Sequence, residues 1–404
     1  MIVFLFTYIG GLFHSELSLL TFEDAMIFVD WNVIFLIMGM MIFVAILAET
    51  NVFRWLAFRM IQASRGRTWL LVASLITLTG VTSAFLNNVT AILLLAPLSI
   101  EVALALNIHP FAIVIPEVLA SNIGGAITII GDPPSTIVGS HLNLSFSEYF
   151  VHMAPIAILC LIALLVATRV MYRFELAKAK KTISPVLLDE LASESTIQDR
   201  PTLFKALIVA TLTFVLFFLA EFFNRMPPSV VALTGATMLI IWVRPDMHRM
   251  IREVDWTTLI FFIGIFISVG ALEASGAIGW VARQLGQLAG ESIARATLLV
   301  TWISGLASGI VDNIPFTVAA LPVVDYLTET VPGVLSSRVL YWALILGADF
   351  GGNATYLGSA TNIVAVGLLT QAGYRMSFGR FMRDGVPITI LTLLIATIWL
   401  MLRY

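Results

Sequence analysis

Charge is scarce in this chain. Only 12% of its 404 residues are Asp, Glu, Lys or Arg, where a soluble domain carries roughly a quarter. The net charge of −3 offers no basic field, which excludes nucleic acid as a partner. Cysteine is nearly absent. Cys160 stands alone in an apolar run, which rules out an intrachain disulfide or a thiolate metal cluster and leaves it a small buried hydrophobe. The histidines (His14, His109, His141, His152 and His248) are scattered without metal-ligand spacing. The first residues show neither a basic n-region nor a cleavage pattern, so no signal peptide is expected.

What the chain has instead is apolar surface. Hydrophobic residues make up 59% of it and its mean hydropathy is +0.98. A chain this apolar needs lipid as solvent, and the expected fold is an all-α polytopic membrane protein. Spans of roughly 17 to 25 residues suit a bilayer. They are expected near 1–17, 32–48, 110–139, 152–172, 204–222, 228–244, 256–274, 338–370 and 385–402. Two further segments, 68–104 and 295–328, are apolar but broken at the centre, at Leu86-Asn87-Asn88-Val89-Thr90 and Val311-Asp312-Asn313-Ile314-Pro315. Their halves are short for crossing alone, so both segments read as re-entrant hairpins. The runs at 110–139 and 338–370 are too long for one crossing and read as broken helices.

Loop charge tests this map. Arg54, Arg59, Arg65 and Arg67 are assigned to one loop, and Arg173, Lys178, Lys180, Lys181 and Arg200 to a second. Arg244, Arg249 and Arg252 fall in a third, and Arg375, Arg380 and Arg383 in a fourth. With both hairpins re-entrant, all four loops lie on one side, which the positive-inside rule makes cytoplasmic. The N-terminus is then inside and the C-terminus outside. Trp31, Trp242 and Trp256 fall at span ends and read as interfacial anchors.

The chain also repeats itself. Val29-Asp30-Trp31 recurs as Val254-Asp255-Trp256, Trp55 as Trp280, Asn88 as Asn313 and Pro97 as Pro322, all at a shift of 225. Gly124-Gly125-x-x-Thr128-x-x-Gly131 recurs two residues later in register as Gly351-Gly352-x-x-Thr355-x-x-Gly358. An odd number of crossings separates the copies, so they are expected to be inverted. Inverted repeats with discontinuous helices are a recurring architecture of secondary transporters. The expected organisation is a first repeat over 1–172, a cytoplasmic linker over 173–203 and a second repeat over 204–404. The partner of the helix at 204–222 would precede Met1, so the first repeat is expected to lack its leading helix.

Polar residues at membrane depth mark sites. The hairpin tips contribute Asn87, Asn88 and Thr90, with Asp312 and Asn313. The helix breaks contribute Ser121, Asn122, Gly124, Gly125, Thr128 and Asp132, with Asp349, Gly351, Gly352, Asn353, Thr355, Ser359, Thr361 and Asn362. Hydroxyl, amide and carboxylate oxygens suit a hard cation, and Asp312, Asn313, Asp349 and Asn353 are the candidate set for Na⁺. Asn87 and Asn122 align with Asp312 and Asp349, while Asp132 aligns with Ser359, so the two copies differ in charge. Asp312, Asp349 and Asp132 are the proton-coupling candidates, with Glu117 one helical turn before Ser121. Glu49, Glu101 and Glu273 fall near span ends, where solvated roles are expected. No cofactor is expected beyond a coupling ion, H⁺ or Na⁺.

The segments Ser83-Ala84-Phe85-Leu86-Asn87-Asn88-Val89-Thr90, Glu117 through Gly125, and Gly131-Asp132-Pro133-Pro134 resemble the arsenical-pump, sodium–proton antiporter and pink-eyed-dilution P-protein permeases. That family belongs to the ion transporter superfamily, together with citrate-type transporters. The resemblance spans nearly the whole chain. It implies an inverted-repeat fold, hairpin tips that bind substrate and cation, and a homodimer with an elevator-like motion. Carried over, the first tip is Asn87, Asn88 and Thr90 and the second is Asp312 and Asn313. The broken helices run from Ser121 to Asp132 and from Gly351 to Asn362. This chain departs from the family in carrying Asn87 where members commonly show Asp. The expected partners are a lipid bilayer and a small inorganic or organic ion, in a prokaryotic inner membrane.

Three substrate classes follow: Na⁺ exchanged for H⁺, arsenite-like metalloids, and small carboxylates. One cysteine cannot build a multi-thiolate arsenic site, and no Lys or Arg lies near either tip, so a carboxylate would depend on helix N-termini. An ion channel is the rival of another class. A membrane-embedded enzyme would need a nucleophile with a base, or a metal set, at one depth, and neither is present.

Overall fold

The computed structural model describes residues 21–180, 191–220, 226–333 and 337–404, and the regular structure in them is helical throughout. The span expected at 1–17 lies outside the described residues. In chain order the helices are α1 (Phe22–Ile27), α2 (Trp31–Glu49), α3 (Val52–Ala63), α4 (Thr68–Ser83), α5 (Asn88–Ala105), α6 (Phe111–Gly125) and α7 (Pro133–His141). Then come α8 (Phe146–Met171), α9 (Arg173–Ala177), α10 (Arg200–Leu219), α11 (Pro228–Val243), α12 (Met247–Glu253) and α13 (Trp256–Ala274). The last are α14 (Ala277–Ala289), α15 (Ile293–Ser308), α16 (Asn313–Thr330), α17 (Val339–Gly351), a 3₁₀ turn (Gly352–Ala354), α18 (Ala360–Gln371) and α19 (Phe378–Arg403). Six of them, α2, α5, α8, α10, α13 and α19, are long and apolar enough to cross a bilayer, and five shorter apolar helices accompany them. The protein is a polytopic α-helical membrane protein.

Burial orders these helices as a lipid solvent dictates. Every residue of α6 and α17, the first halves of the two broken helices, is buried. The outer helices expose apolar faces instead: Val151, Ile158, Ile162 and Val166 on α8, and Ile260 and Phe261 on α13. In water such faces would cost roughly 1.5–3 kcal/mol per large side chain left uncovered; against lipid they cost nothing. Trp31 and Trp256 open α2 and α13 at 44% and 46% exposure, as interfacial rings do.

Local chemistry explains where the helices start. Asp30 accepts from the amides of Asn32 and Val33, and its counterpart Asp255 from that of Thr258. Ser145, Asp199 and Ser377 cap α8, α10 and α19 in the same way. Helix bounds follow the sequence duplication: α2, α4 and α5 recur as α13, α15 and α16, shifted by 225 residues at both ends. The hairpin breaks fall at 84–87 and 309–312, a few residues before the expected 86–90 and 311–315, because Asn87 and Asp312 cap helices that begin at Asn88 and Asn313; the long helices break at 126–132 and 352–359.

Polar contacts define two ends of the molecule. At one, Arg54 pairs with Glu194 at 2.9 Å and Glu101 at 3.6 Å, and Arg249 with Glu49 at 3.0 Å. The amide of Lys180 bonds the carbonyl of Leu106, Tyr172 bonds Asp384, and Arg169 lies over the Trp69 ring. The basic segments therefore gather together, and α4 begins and α5 ends among them. The α15–α16 pair returns to the other end, where Glu148 pairs with Arg338 at 2.6 Å and His141 with Asp325 at 2.9 Å. The α8 helix, 26 residues long, separates the two ends.

One expectation needs correction. Arg54 and Arg59 are not in a loop but on α3, Arg249 and Arg252 lie on α12, and Arg380 and Arg383 on the first turns of α19. Arg200 likewise opens α10. These stretches are amphipathic or polar helix ends, so a search for bilayer-length apolar runs passes over them. The repeat partner of α3, α14, was missed for the same reason.

Candidate functional site

The four breaks meet at one place, deep in the molecule. In the first hairpin, Ser83 donates to Asn88 Oδ1, lies 3.0 Å from Ser121 Oγ, and Ser121 donates to the Asn88 carbonyl at 3.3 Å. Asn88 Nδ2 approaches Asn122 Oδ1 at 3.4 Å. Asn122 crosses to the second repeat: its Nδ2 donates to Asn353 Oδ1 at 2.8 Å and Asn362 Oδ1 at 3.0 Å, while Ser359 donates to its Oδ1 at 3.3 Å. Asn362 also donates to the carbonyls of Gly352 and Thr355 at 2.8 and 2.9 Å, holding the second break open. Asn88, Ser121, Asn122, Asn353, Ser359 and Asn362 are all 3% exposed or less, so the network is closed from solvent.

A second group of contacts lies beside it. The carboxyl groups of Asp132, which opens α7, and Asp349, in the last turn of α17, are within hydrogen-bonding reach of each other, and Asp132 also reaches Asn88. Ser135 lies 3.3 Å from Asp349 Oδ2 and 2.6 Å from the hydroxyl of Tyr149. Asp132 Oδ2 and Asp349 Oδ1 accept from no hydroxyl or amide donor, and Asn313 Nδ2 has no acceptor, although all three are buried.

The remaining predicted residues have separate tasks. Asn87 and Asp312 are half-buried N-caps of α5 and α16, accepting from the amides of Val89 at 2.9 Å and Ile314 at 3.0 Å. Thr128 and Thr355 donate to the tip carbonyls of Ala84 and Gly309, tying each break to its own hairpin. Thr90 is half-buried in the first turn of α5, and Thr361 is buried at the start of α18. Gly124 and Gly351 lie where α6 crosses α4 and α17 crosses α15. A Cβ at Gly124 would lie 2.7 Å from Gly80 Cα, and one at Gly351 2.8 Å from the Gly305 carbonyl carbon. Gly125 leaves room for Asn88, whose Oδ1 would lie 2.6 Å from a Cβ there, and Gly352 does so for the Gly358 carbonyl at 2.8 Å.

Glu117 stands apart. It is fully buried, accepts from Ser99 at 2.6 Å and lies 3.5 Å from Thr79, so it joins both hairpin arms to α6 and does not touch the Asn122 network. Within the candidate Na⁺ set, no hydrogen bond joins any two of Asp312, Asn313, Asp349 and Asn353. Asp349 sits with Asp132 and Ser135, Asn353 with Asn122. Sequence reasoning missed Ser83, Ser135, Tyr149 and Ser308, which donates to the Ala348 carbonyl of α17 at 2.6 Å. Ser83 and Ser308 match at the 225 shift, and Ser135 directly follows the Gly131-Asp132-Pro133-Pro134 run, so these three had a signal. Tyr149 had none.

At the hairpin tips the Val89 and Ile314 amides are taken by Asn87 and Asp312. Pro133 and Pro134 open α7 without N–H groups. Carboxylate, amide and hydroxyl oxygens gather at the centre with no Lys or Arg among them, which suits a cation. A cavity of about 500 Å³, lined by polar and apolar residues alike, lies on the flank of the first break, between α2, α7, α8, α10 and α11. It is lined by Asn32, Thr136, Ser140, Ser229, Glu148 and Arg338 and does not enclose the Asn122 network.

Comparison with known proteins agrees with this architecture. A family model described as "Citrate transporter" matches residues 1–347. An uncharacterized transporter of Mycobacterium tuberculosis is 39% identical over 93% of this chain and 87% of its own length. One of Synechocystis is 30% identical over 98% and 92%. The P protein of Sus scrofa is 31% identical over 95% of this chain and 54% of its own length. With its polar breaks joined at the centre of an apolar helical body, the chain belongs to the citrate transporter family within the ion transporter superfamily.

Proposed function

We propose that the protein is a secondary active transporter that exchanges a small ion for H⁺ or Na⁺ by alternating access, at the site built around Asn122. One observation carries this reading: the Asn122 side chain joins the first hairpin tip and first break to the second break. A rocking or sliding of one bundle against the other would remake those bonds and change which end the site faces. The two hairpins enter from opposite ends of the molecule, as alternation requires. The Asp132 and Asp349 side chains, with no Lys or Arg beside them, favour a cation over a carboxylate at the centre. The proposed setting is a bacterial inner membrane with the basic end cytoplasmic.

Everted membrane vesicles carrying an imposed proton gradient, read with a pH-sensitive dye, test this. Na⁺ should collapse the gradient in wild type and not in Asp312→Asn. Asparagine caps helices as well as aspartate does, and Asn87 does so in the first repeat, so this variant removes charge without removing the cap. An unchanged Na⁺ response in Asp312→Asn refutes its role. Silence in wild type refutes cation–proton exchange and turns attention to radiolabelled carboxylates and arsenite.

A further inference from the structure

We propose that Tyr149 and Ser135 are positioning residues for the Asp349 carboxylate, and that they link it to the break in the opposite repeat. The proposal rests on the coupled-transport reading above and names two residues that reading does not use. Tyr149, on α8, has no exposed surface and packs edge-on against Trp342 of α17, with ring centres 5.9 Å apart. Trp342 lies two turns before Asp349 on the same helix, so the tyrosine is braced against the element that carries the acid.

Its hydroxyl has two neighbours: Ser135 Oγ at 2.6 Å and the Ala126 carbonyl, at the C-cap of α6, at 3.2 Å. A tyrosine hydroxyl carries one proton, and a carbonyl can only accept. Two hydrogen-bond orders follow. In the first, Tyr149 donates to Ser135, and Ser135 donates to Asp349 Oδ2 across 3.3 Å. In the second, Tyr149 donates to the Ala126 carbonyl and Ser135 donates to the tyrosine oxygen, so Asp349 loses the Ser135 donor. The break carbonyl of one repeat and the carboxylate of the other thus compete for one chain of donors. With Oδ2 held by Ser135, the other oxygen, Oδ1, has no hydroxyl or amide donor, and the Asp132 carboxyl is the neighbour left to share a proton with it. A tyrosine that merely satisfies its own hydroxyl would need only one of these acceptors.

The experiment uses the full-length protein with Tyr149→Phe, Ser135→Ala, Ser135→Thr and the Tyr149→Phe/Ser135→Ala double variant. Half-saturation by Na⁺ in the vesicle assay should rise about tenfold in the first two, since a bond to a charged acceptor is lost or misdirected. Maximal rate should be retained, Ser135→Thr should restore affinity, and the double variant should be no worse than either single one. Infrared difference spectra of purified protein, taken with and without Na⁺ and across an acid titration, supply a readout independent of transport. The carboxyl band that disappears in Asp349→Asn should shift in Tyr149→Phe and in Ser135→Ala. A band in wild-type position in both variants overturns the inference even where wild type exchanges Na⁺ for H⁺. A shifted band supports it even where wild type fails to exchange, which would sink only the functional reading. Should Tyr149→Phe misfold, Ser135→Ala alone decides.

Discussion

Gly124→Ala adds one methyl group where α6 crosses α4. The new Cβ would lie 2.7 Å from both Cα and the carbonyl carbon of Gly80. Carbon atoms in contact prefer about 3.5–4.0 Å, so the two helices must part by roughly 1 Å. The obstructing atoms are backbone, which cannot rotate away as a side chain can, and this places the cost at the upper end of overpacking, about 3 kcal/mol. Gly264→Ala is the internal control. It sits within α13 with nothing inside 4 Å of where its Cβ would stand, and helix propensity alone makes it neutral or stabilising by up to about 1 kcal/mol. Unfolding in mixed detergent–SDS micelles, followed by tryptophan fluorescence, compares the two. A gap of about 2 kcal/mol or more is expected, and Gly351→Ala should fall with Gly124→Ala. If Gly124→Ala proves as stable as Gly264→Ala, the close crossing that sets the position of Asn122 is not a constraint on this fold.

Two further outcomes are expected. Asn122→Ala leaves the Oδ1 atoms of Asn353 and Asn362 without this donor, and should cost about 2 kcal/mol of stability. It should also raise half-saturation by Na⁺ above the wild-type value, as vesicle measurements would show. His109, in the turn between α5 and α6, is held below its ordinary value by burial and then by Arg380. Its folded form therefore binds fewer protons than the unfolded chain, so the associated stability is present above about pH 6.5 and is lost as pH falls below it. Unfolding across that window should flatten in His109→Phe.

Much of this arrangement was legible in the chain, and the reason is periodic. Bilayer-length apolar runs announce α2, α8, α10, α13 and α19, and the polar interruptions at Asn88 and Asn313 announce the hairpins, because lipid penalises every polar residue without a partner. The short helices α3, α12 and α14 were not legible. Their arginines and apolar residues share one helix at a length no hydropathy window resolves. Within the site, the residues of the repeat motifs were legible, while their division of labour was not. Glycines 124 and 351 look like ligand-loop glycines until the crossings with Gly80 and Gly305 are seen, and Glu117 looks like part of the site until its bonds to Ser99 and Thr79 place it within the first hairpin bundle.

By itself the sequence determined that the protein lives in lipid, that its motifs recur at a shift of 225, and, to within a few residues, where its helices break. Those properties depend on neighbours along the chain: hydropathy, capping residues, proline and glycine. Only the tertiary structure decided that Asn122 spans both repeats, that Asp132 faces Asp349, and that Tyr149 stands behind them. These contacts join residues from 14 to 240 positions apart, and such pairings are set by how α6, α7, α8, α17 and α18 pack, which no local pattern encodes.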